Sequence, residues 1–146
     1  MSAPAGHIAA DLRLARETLR ARGASVVSAL GGVVRGMAWG GGLGPLLHLL
    51  DGGSVPSGCA VADRTVGLAA AKLMTAAGVA AVWSPLASAP AAEWLAGAGV
   101  PLEAERKVPA ILGRDGRGEC PMEGLARTTD DVRAALAALA GGRARD

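Results

Sequence analysis

Apolar residues recur along the chain first with the period of a helix and then with the periods of strands. In the first segment the apolar side is formed by Ile8, Leu12, Ala15 and Leu19, and the pattern ends at Gly23. Basic residues occupy another face of the same segment. This spacing predicts an amphipathic helix at the start of the chain.

A hairpin is predicted next. Segments 24–30 and 33–39 are rich in Val and Ala, and two glycines between them suit a tight turn. A triple glycine at 40–42 ends the hairpin. A short helix is expected from about 43 to 50, and a Gly/Pro/Ser loop fills 51–58.

The second half of the chain alternates strands with helices. Short apolar runs at 59–62 and 79–83 have the pattern of strands that are covered on both faces. Between them a helix is predicted over 66–77. Asp63 or Thr65 is expected to cap it, and the glycine that follows is expected to end it.

Four further elements complete the pattern. Residues 84–88 turn into a helix with Pro90 in its first turn. Residues 100–112 are interpreted as one extended stretch, and a loop over 113–118 leads to a short helix at 121–127.

The last helix is expected to start at Thr128 or Thr129. It should end at the glycine pair 141–142, with residues 143–146 frayed. Acidic residues at 130 and 131 lie where the helix dipole favours them. Its buried side is predicted to consist of Val132, Leu136 and Leu139.

This order of elements predicts an α/β fold in which a mixed sheet lies between two helix layers. The whole chain, 1–146, is expected to form one domain, because no repeat or linker divides it.

The composition supports a lean core. The chain is 51% hydrophobic but has 22 Gly, three Trp and neither Phe nor Tyr, so small residues must supply much of the packing.

A net charge of +2 is too small to require nucleic acid as a partner. The stripe formed by Arg13, Arg16 and Arg20 could contact a phosphate backbone, but a solvated helix face is the simpler interpretation.

The two cysteines, Cys59 and Cys120, are 61 positions apart and form no CxxC motif, so nothing indicates an oxidising compartment. The N-terminus lacks a basic leader followed by an apolar stretch. The uncharged run 73–92 contains Gly and Pro and is interpreted as helix end, strand and turn rather than a membrane span. We therefore expect a cytoplasmic protein without membrane contact.

Two segments carry a family resemblance. Residues 58–72 (GCAVADRTVGLAAAK) and 113–123 (GRDGRGECPME) resemble an uncharacterised prokaryotic domain family of unknown function with a cytidine-deaminase-like fold. The resemblance implies an α/β/α architecture, which the order of elements suggests independently. It implies no reaction.

The motifs of the zinc deaminases are missing from the expected places. Those enzymes carry a His or Cys two residues before a Glu, and then Pro-Cys-x-x-Cys, at the helix starts after the third and fourth strands. Residues 63–68 contain no His-x-Glu, and residues 85–88 keep the proline but offer Leu and Ser where thiolates are needed. We therefore expect no zinc, no other cofactor and no classical deamination.

Ligands of α/β sheets bind outside the carboxyl ends of the strands, where helix N-termini also point. The residues expected there are Asp63, Arg64, Thr65, Gly67, Ser84 and Ser88. They suit a small anionic or nucleotide-like ligand, with Asp63 as a candidate catalytic carboxylate. The alternative is that the polar side chains only cap helices.

Lys72 lies in an Ala-rich helix and is a second candidate catalytic residue. Desolvation would favour its neutral amine, which is a nucleophile or a general base. The alternative places its ammonium in solvent with the stem lying over apolar neighbours.

Residues 115–123 form the third candidate region. Cys120 precedes Pro121, so its sulfur is expected at a helix N-terminus, where a thiolate is stabilised. Glu123 either opposes this effect or reaches back to cap the N–H of Cys120. Asp115, in a turn-forming Asp-Gly pair, is a candidate ligand-binding residue.

Two functions follow as hypotheses. The first is a protein, possibly enzymatic, that binds a small anionic or nucleotide-like molecule without zinc. The second is a non-enzymatic sensor or self-associating module, for which the cleft should be filled by side chains and homo-oligomers should form.

Overall fold

The computed structural model describes residues 5–113, 116, 118 and 120–145, the last six of them by their backbone. These residues form six helices: α1 (Gly6–Arg22), α2 (Gly44–Asp51), α3 (Leu68–Ala77), α4 (Ala89–Gly97), α5 (Pro121–Thr128) and α6 (Val132–Arg145). They also form seven strands: β1 (Val26–Leu30), β2 (Val33–Ala38), β3 (Ala60–Asp63), β4 (Ala81–Ser84), β5 (Ala87–Ser88), β6 (Leu102–Ala104) and β7 (Lys107–Val108).

Five of the strands build one mixed sheet in the order β2-β1-β3-β4-β6. Strand β1 is antiparallel to both β2 and β3, whereas β3, β4 and β6 are parallel to one another. The predicted α/β class and mixed sheet are confirmed. The parallel arrangement brings the carboxyl ends of β3, β4 and β6 to one edge, where ligands bind in such folds.

Alternate residues of the sheet face two separate apolar clusters, because side chains alternate across a strand. In β1, Val27 packs with Leu12, Ala15 and Leu19 of α1. Val26, its neighbour, packs on the opposite side with residues of α2 to α6. Helix α1 therefore covers one face of the sheet, and the other helices supply the core on the other face.

The β1–β2 hairpin has the predicted glycine turn and an unpredicted partner for it. Gly31 and Gly32 have φ of 66° and 78°, the left-handed region that glycine adopts without strain. Their N–H groups donate to the two carboxylate oxygens of Asp11, at 3.0 and 2.8 Å. Asp11 is buried in α1, so it fixes this helix to the hairpin.

The single extended stretch predicted over 100–112 is wrong. The chain leaves the main sheet after β6, and β7 pairs with β5 in a separate two-stranded sheet. Two backbone bonds guide this departure: Glu105 N–H donates to Ser84 O, and Ala87 N–H donates to Arg106 O. The break depends on pairing with a segment some 20 residues away, which the local pattern does not contain.

The predicted boundaries of α4 and α6 are confirmed at one cap and wrong at both ends of α6. Ser88 caps α4 as predicted, because its Oγ accepts a bond from Ala91 N–H at 3.2 Å. Helix α6 begins at Val132 rather than at Thr128 or Thr129, with Asp131 Oδ1 accepting from Ala134 N–H. It also continues to residue 145, past the glycine pair at which it was expected to end.

Some predicted core positions are exposed. Leu139 is 46% exposed, although Val132 is buried and Leu136 packs at the edge of the core. Trp39, at the end of the predicted second hairpin segment, is also 54% exposed, with its indole N–H donating to Arg22 O. In the described part of the chain, no helix combines the length and apolar character that a bilayer crossing requires.

Candidate functional site

A cleft of about 370 Å³ lies at the carboxyl end of β3 and brings together most of the predicted site. The sequence-predicted residues that line it are Asp63, Arg64, Thr65, Gly67, Cys120 and Glu123. The remaining lining residues are Ser25, Gly40, Gly41, Gly42, Leu43, Ala70, Ile111, Leu112, Gly113 and Met122. Residues from three distant stretches of the chain therefore meet at one sheet edge.

Asp63 is the last residue of β3 and supplies the titratable carboxyl of the cleft. Burial raises its pKa from 3.8 to about 7, and hydrogen bonds from the backbone of Thr65 and Arg64 oppose the rise. The Thr65 N–H lies 3.4 Å from Asp63 Oδ1. Desolvation is the dominant cause, because a carboxylate loses more hydration on burial than a neutral carboxyl.

Arg64 connects the cleft to the start of the hairpin. Its Nε donates to Ala24 O at 2.7 Å, and its backbone N–H donates to Ser25 O at 2.9 Å. Arg64 and Thr65 are both exposed. The Arg64 guanidinium thus places a cation in the cleft wall, with one of its donors already used.

The start of α3 is capped by a residue from another helix. Glu123 of α5 is buried, and its carboxylate accepts bonds from Leu68 N–H at 2.7 Å and Ala69 N–H at 3.2 Å. The helix begins at Leu68, so the predicted caps Asp63 and Thr65 are wrong. The carboxylate occupies the N–H groups that were expected to bind a ligand anion.

Gly67 makes this capping contact sterically feasible. A β-carbon at position 67 would lie 2.6 Å from Glu123 Cδ, closer than real β-carbons approach other atoms. The φ of Gly67 is −96°, so space rather than backbone conformation requires glycine here.

Cys120 occupies the N-cap position of α5, as its place before Pro121 predicted. The alternative in which Glu123 caps the Cys120 N–H is wrong, because this N–H donates to Ile111 O at 2.9 Å. Cys120 is partly buried, whereas Cys59 is fully buried and burial raises the pKa of its thiol to about 11.

Lys72 lies outside the cleft, and the alternative that places its ammonium in solvent is wrong. Its side chain is buried rather than solvated, and its Nζ donates to Ala126 O at 2.6 Å, Thr129 O at 3.1 Å and Asp130 Oδ1 at 2.8 Å. The ammonium also lies 4.5 Å from the ring centroid of Trp94. All three N–H groups have partners, which is the geometry of a structural clamp between α3 and the α5–α6 region.

Ser84 and Ser88 use their hydroxyls within their own turns. Ser84 Oγ donates to Leu86 O at 2.8 Å and accepts from Leu86 N–H at 3.1 Å. Ser88 is the cap of α4. Both are buried, and neither is among the residues that line the cleft. Asp115 lies outside the described residues.

The hairpin end forms a cleft wall that sequence reasoning missed. Ser25 Oγ donates to Gly40 O at 2.7 Å and accepts from Gly40 N–H at 3.0 Å, which anchors the triple glycine beside Asp63. The run of three glycines was the available signal, but it was interpreted only as the end of the hairpin.

The described residues of the cleft supply a carboxyl that exchanges a proton near neutral pH, a thiol, a guanidinium and several apolar side chains. Within the described ranges, no three His, Cys, Asp or Glu residues are grouped as a metal site requires. The raised pKa of Asp63 suits its carboxyl to proton exchange or hydrogen bonding near neutral pH.

Comparison with known proteins gives a family and a related fold. Residues 14–141 match the model of a family described as TM1506, a domain of unknown function (DUF1893). The crystal structure of a DUF1893 family protein from Thermotoga maritima is similar, with 25% identity and a TM-score of 0.78 over 90% of this chain and 89% of that chain. No curated protein matches the chain.

Proposed function

The chain belongs to the DUF1893 family of domains of unknown function, and from this premise we propose that its cleft binds a small planar molecule of the nucleobase or nucleoside kind, without zinc. The observation that carries the proposal is the convergence of Asp63, Cys120 and the 40–42 glycines on one cleft at the carboxyl end of β3.

Asp63 suits the hydrogen-bonding edge of a base. A carboxyl with a pKa of about 7 is present in both forms at neutral pH, so it can donate or accept a hydrogen bond. Nucleobase edges present donors and acceptors side by side, and a group that can change role matches several of them.

The remaining walls suit a flat, partly apolar ligand. Leu43, Ile111, Leu112 and Met122 supply apolar surface, and the glycines at 40–42 let the backbone approach a ring closely. The cleft volume of about 370 Å³ lies within the usual range of small-molecule sites.

Of the two ligand types expected from the sequence, a small anion has less support in the cleft than a nucleotide-like molecule. Glu123 already occupies the N–H groups of Leu68 and Ala69, and it adds negative charge beside the cleft. Among the described residues that line the cleft, Arg64 is the one cation. We therefore favour an unphosphorylated ligand over a nucleotide.

The cytidine-deaminase-like fold is part of the same proposal. A mixed sheet with α1 on one face and a cleft at the end of the third strand supports it. If the bound molecule reacts, Asp63 is the proton-transfer group and Cys120 the flanking thiol, because both line the cleft.

The alternative, a non-enzymatic module on a degenerate fold, predicts a cleft filled by side chains. The open volume of about 370 Å³ therefore favours the ligand-binding proposal.

The test uses thiol protection in the cleft. Uridine, cytidine and adenosine, each with its 5′-monophosphate, are added to the full chain, and the rate at which iodoacetamide modifies Cys120 is measured together with the thermal midpoint. We expect a nucleoside to slow the modification saturably and to raise the midpoint, and its monophosphate to do so less.

Asp63→Asn should raise the dissociation constant of the protecting nucleoside by about tenfold, which is the equivalent of one hydrogen bond at ~1.4 kcal/mol. Glu93→Gln is the matched control, because Glu93 is exposed on α4 and does not line the cleft. If no nucleoside protects Cys120, or if both variants behave alike, the proposal is wrong.

A further inference from the structure

A buried donor without a partner lies on the opposite face of the sheet. The Nε of Arg16, in α1, has no hydrogen-bond partner, and among the described residues it is the only buried side-chain nitrogen or oxygen in this situation. Buried N–H groups of charged side chains are almost always paired, because an unsatisfied one loses its hydration without compensation. The position therefore requires explanation.

Arg16 borders two adjoining cavities where α1 meets the edge strand β6. One, of about 470 Å³, is bounded by Trp83, residues 102–105 and Lys107. The other, of about 160 Å³, is bounded by Ala9, Leu12, Arg13 and Glu103. Space for a small molecule thus lies beside the unpaired donor.

The neighbouring charges leave this region positive. Arg20 is already engaged, since its guanidinium lies 4.9 Å from the Trp83 ring centroid and pairs with Glu105. Glu105 is thereby neutralised. Glu103 is then the remaining negative charge that lines the two cavities, and it is opposed by three cations: Arg13, Arg16 and Lys107.

We propose that Arg16 is the centre of a second binding site, for an oxyanion of the carboxylate or phosphate class. The planar guanidinium presents Nε and one Nη as a fork that matches two oxygens of such a group. Lys107 adds a point charge from the side of the larger cavity. The site shares none of its lining residues with the cleft at Asp63, so it is independent of the proposed function.

The test follows the arginine Nε–Hε resonances by nuclear magnetic resonance while sodium phosphate is added to the full chain at constant ionic strength. We expect the Arg16 resonance to move saturably, and the Arg20 and Arg22 resonances, whose side chains border neither cavity, to move little. A parallel titration with succinate decides between the two oxyanion classes, because the one that saturates at lower concentration is the better match.

Three variants sharpen the result. Arg16→Lys keeps the charge but loses the fork, and should weaken binding by about tenfold. Arg22→Lys is the matched control, because Arg22 is exposed on α1 and borders neither cavity, and it should change binding less than about threefold. Glu103→Gln should tighten binding several-fold, because it removes the opposing charge.

Linear shifts shared by all three arginines would indicate charge screening only and would overturn the proposal. So would an Arg16 resonance that neither phosphate nor succinate moves. These outcomes are read on the wild-type chain, so they do not depend on whether a variant folds.

Discussion

The carboxylate of Glu123 accepts the N–H of Leu68 at 2.7 Å, so a residue of α5 caps α3 across 55 positions of the chain. The contact sets the distance between the two helices that border the cleft. It also places the negative charge of Glu123 at the positive end of α3, where the helix dipole stabilises it.

Removing this cap should destabilise the protein more than removing an exposed one. We expect Glu123→Ala to lower the free energy of unfolding by about 2–3 kcal/mol, because two buried N–H groups lose a charged acceptor. Asp131→Ala, which removes the exposed cap of α6, should cost about 1 kcal/mol. Urea unfolding followed by circular dichroism measures both. Equal losses of unfolding free energy in the two variants would show that the Glu123 cap stabilises the protein no more than an exposed cap does.

Gly67→Ala should be destabilising through its contact with Glu123. The new β-carbon would lie 2.6 Å from Glu123 Cδ, and we expect a loss of about 1–3 kcal/mol in the free energy of unfolding. In the Glu123→Ala background the same substitution should cost much less, since the obstructing group is gone. Gly97→Ala, in open space within α4, serves as a control and should be neutral or slightly stabilising. Additive losses in the double variant would contradict the explanation.

The raised pKa of Asp63 predicts a specific pH dependence. The folded state holds the proton with a pKa of about 7, whereas the unfolded value is 3.8. The resulting stabilisation is complete below about pH 4 and is lost as the pH rises through about 7, because the folded state must then ionise a carboxyl that is poorly hydrated.

The measurement compares wild type with Asp63→Asn by urea unfolding between pH 4 and 8. The variant should lack this part of the slope and should be the more stable protein at pH 8. A difference between the two proteins that stays constant with pH would show that Asp63 titrates at the same pH in both states.

Lys72 should be inert as an amine, because its three N–H groups are bonded. We expect an acylating reagent to modify exposed Lys107 in the native protein and to reach Lys72 only after unfolding, as mass spectrometry can show.

The same contacts of Lys72 should stabilise the fold. Lys72→Met should lower the free energy of unfolding by about 2–4 kcal/mol. Asp130→Asn should cost less than about 1 kcal/mol, since the Asp130 side chain is 79% exposed. Rapid native acylation of Lys72 would restore it as a candidate nucleophile.

The two thiols should differ strongly in reactivity. Cys59 is buried with its pKa raised to about 11, so at pH 8 only about 0.1% of it would be thiolate even if a reagent could reach it. Cys120 is partly exposed at the cleft. We expect one modified thiol in the native chain, at Cys120, and two after denaturation. Labelling of Cys59 without unfolding would contradict the structure of the core.

Local chemistry determined much of the fold. The Gly31-Gly32 turn, the Ser88 cap and the Cys120-Pro121 start of α5 all depend on residues within a few positions of each other, and each was predictable from the sequence. The alternation of apolar runs likewise determined the α/β class. The candidate site was predictable in part, because Asp63 follows a buried strand and such strand ends gather ligands.

Only the tertiary structure decided the partners. Glu123 caps α3 rather than its own helix, and Lys72 donates to the carbonyl of Ala126 in α5. The chain leaves the main sheet after β6 because β7 pairs with β5. These contacts join residues roughly 20 to 55 positions apart, and no periodicity along the chain records which groups will meet. The polar groups were visible in the sequence, but the burial that determines their charge and their hydrogen bonds exists only after the helices pack on the sheet.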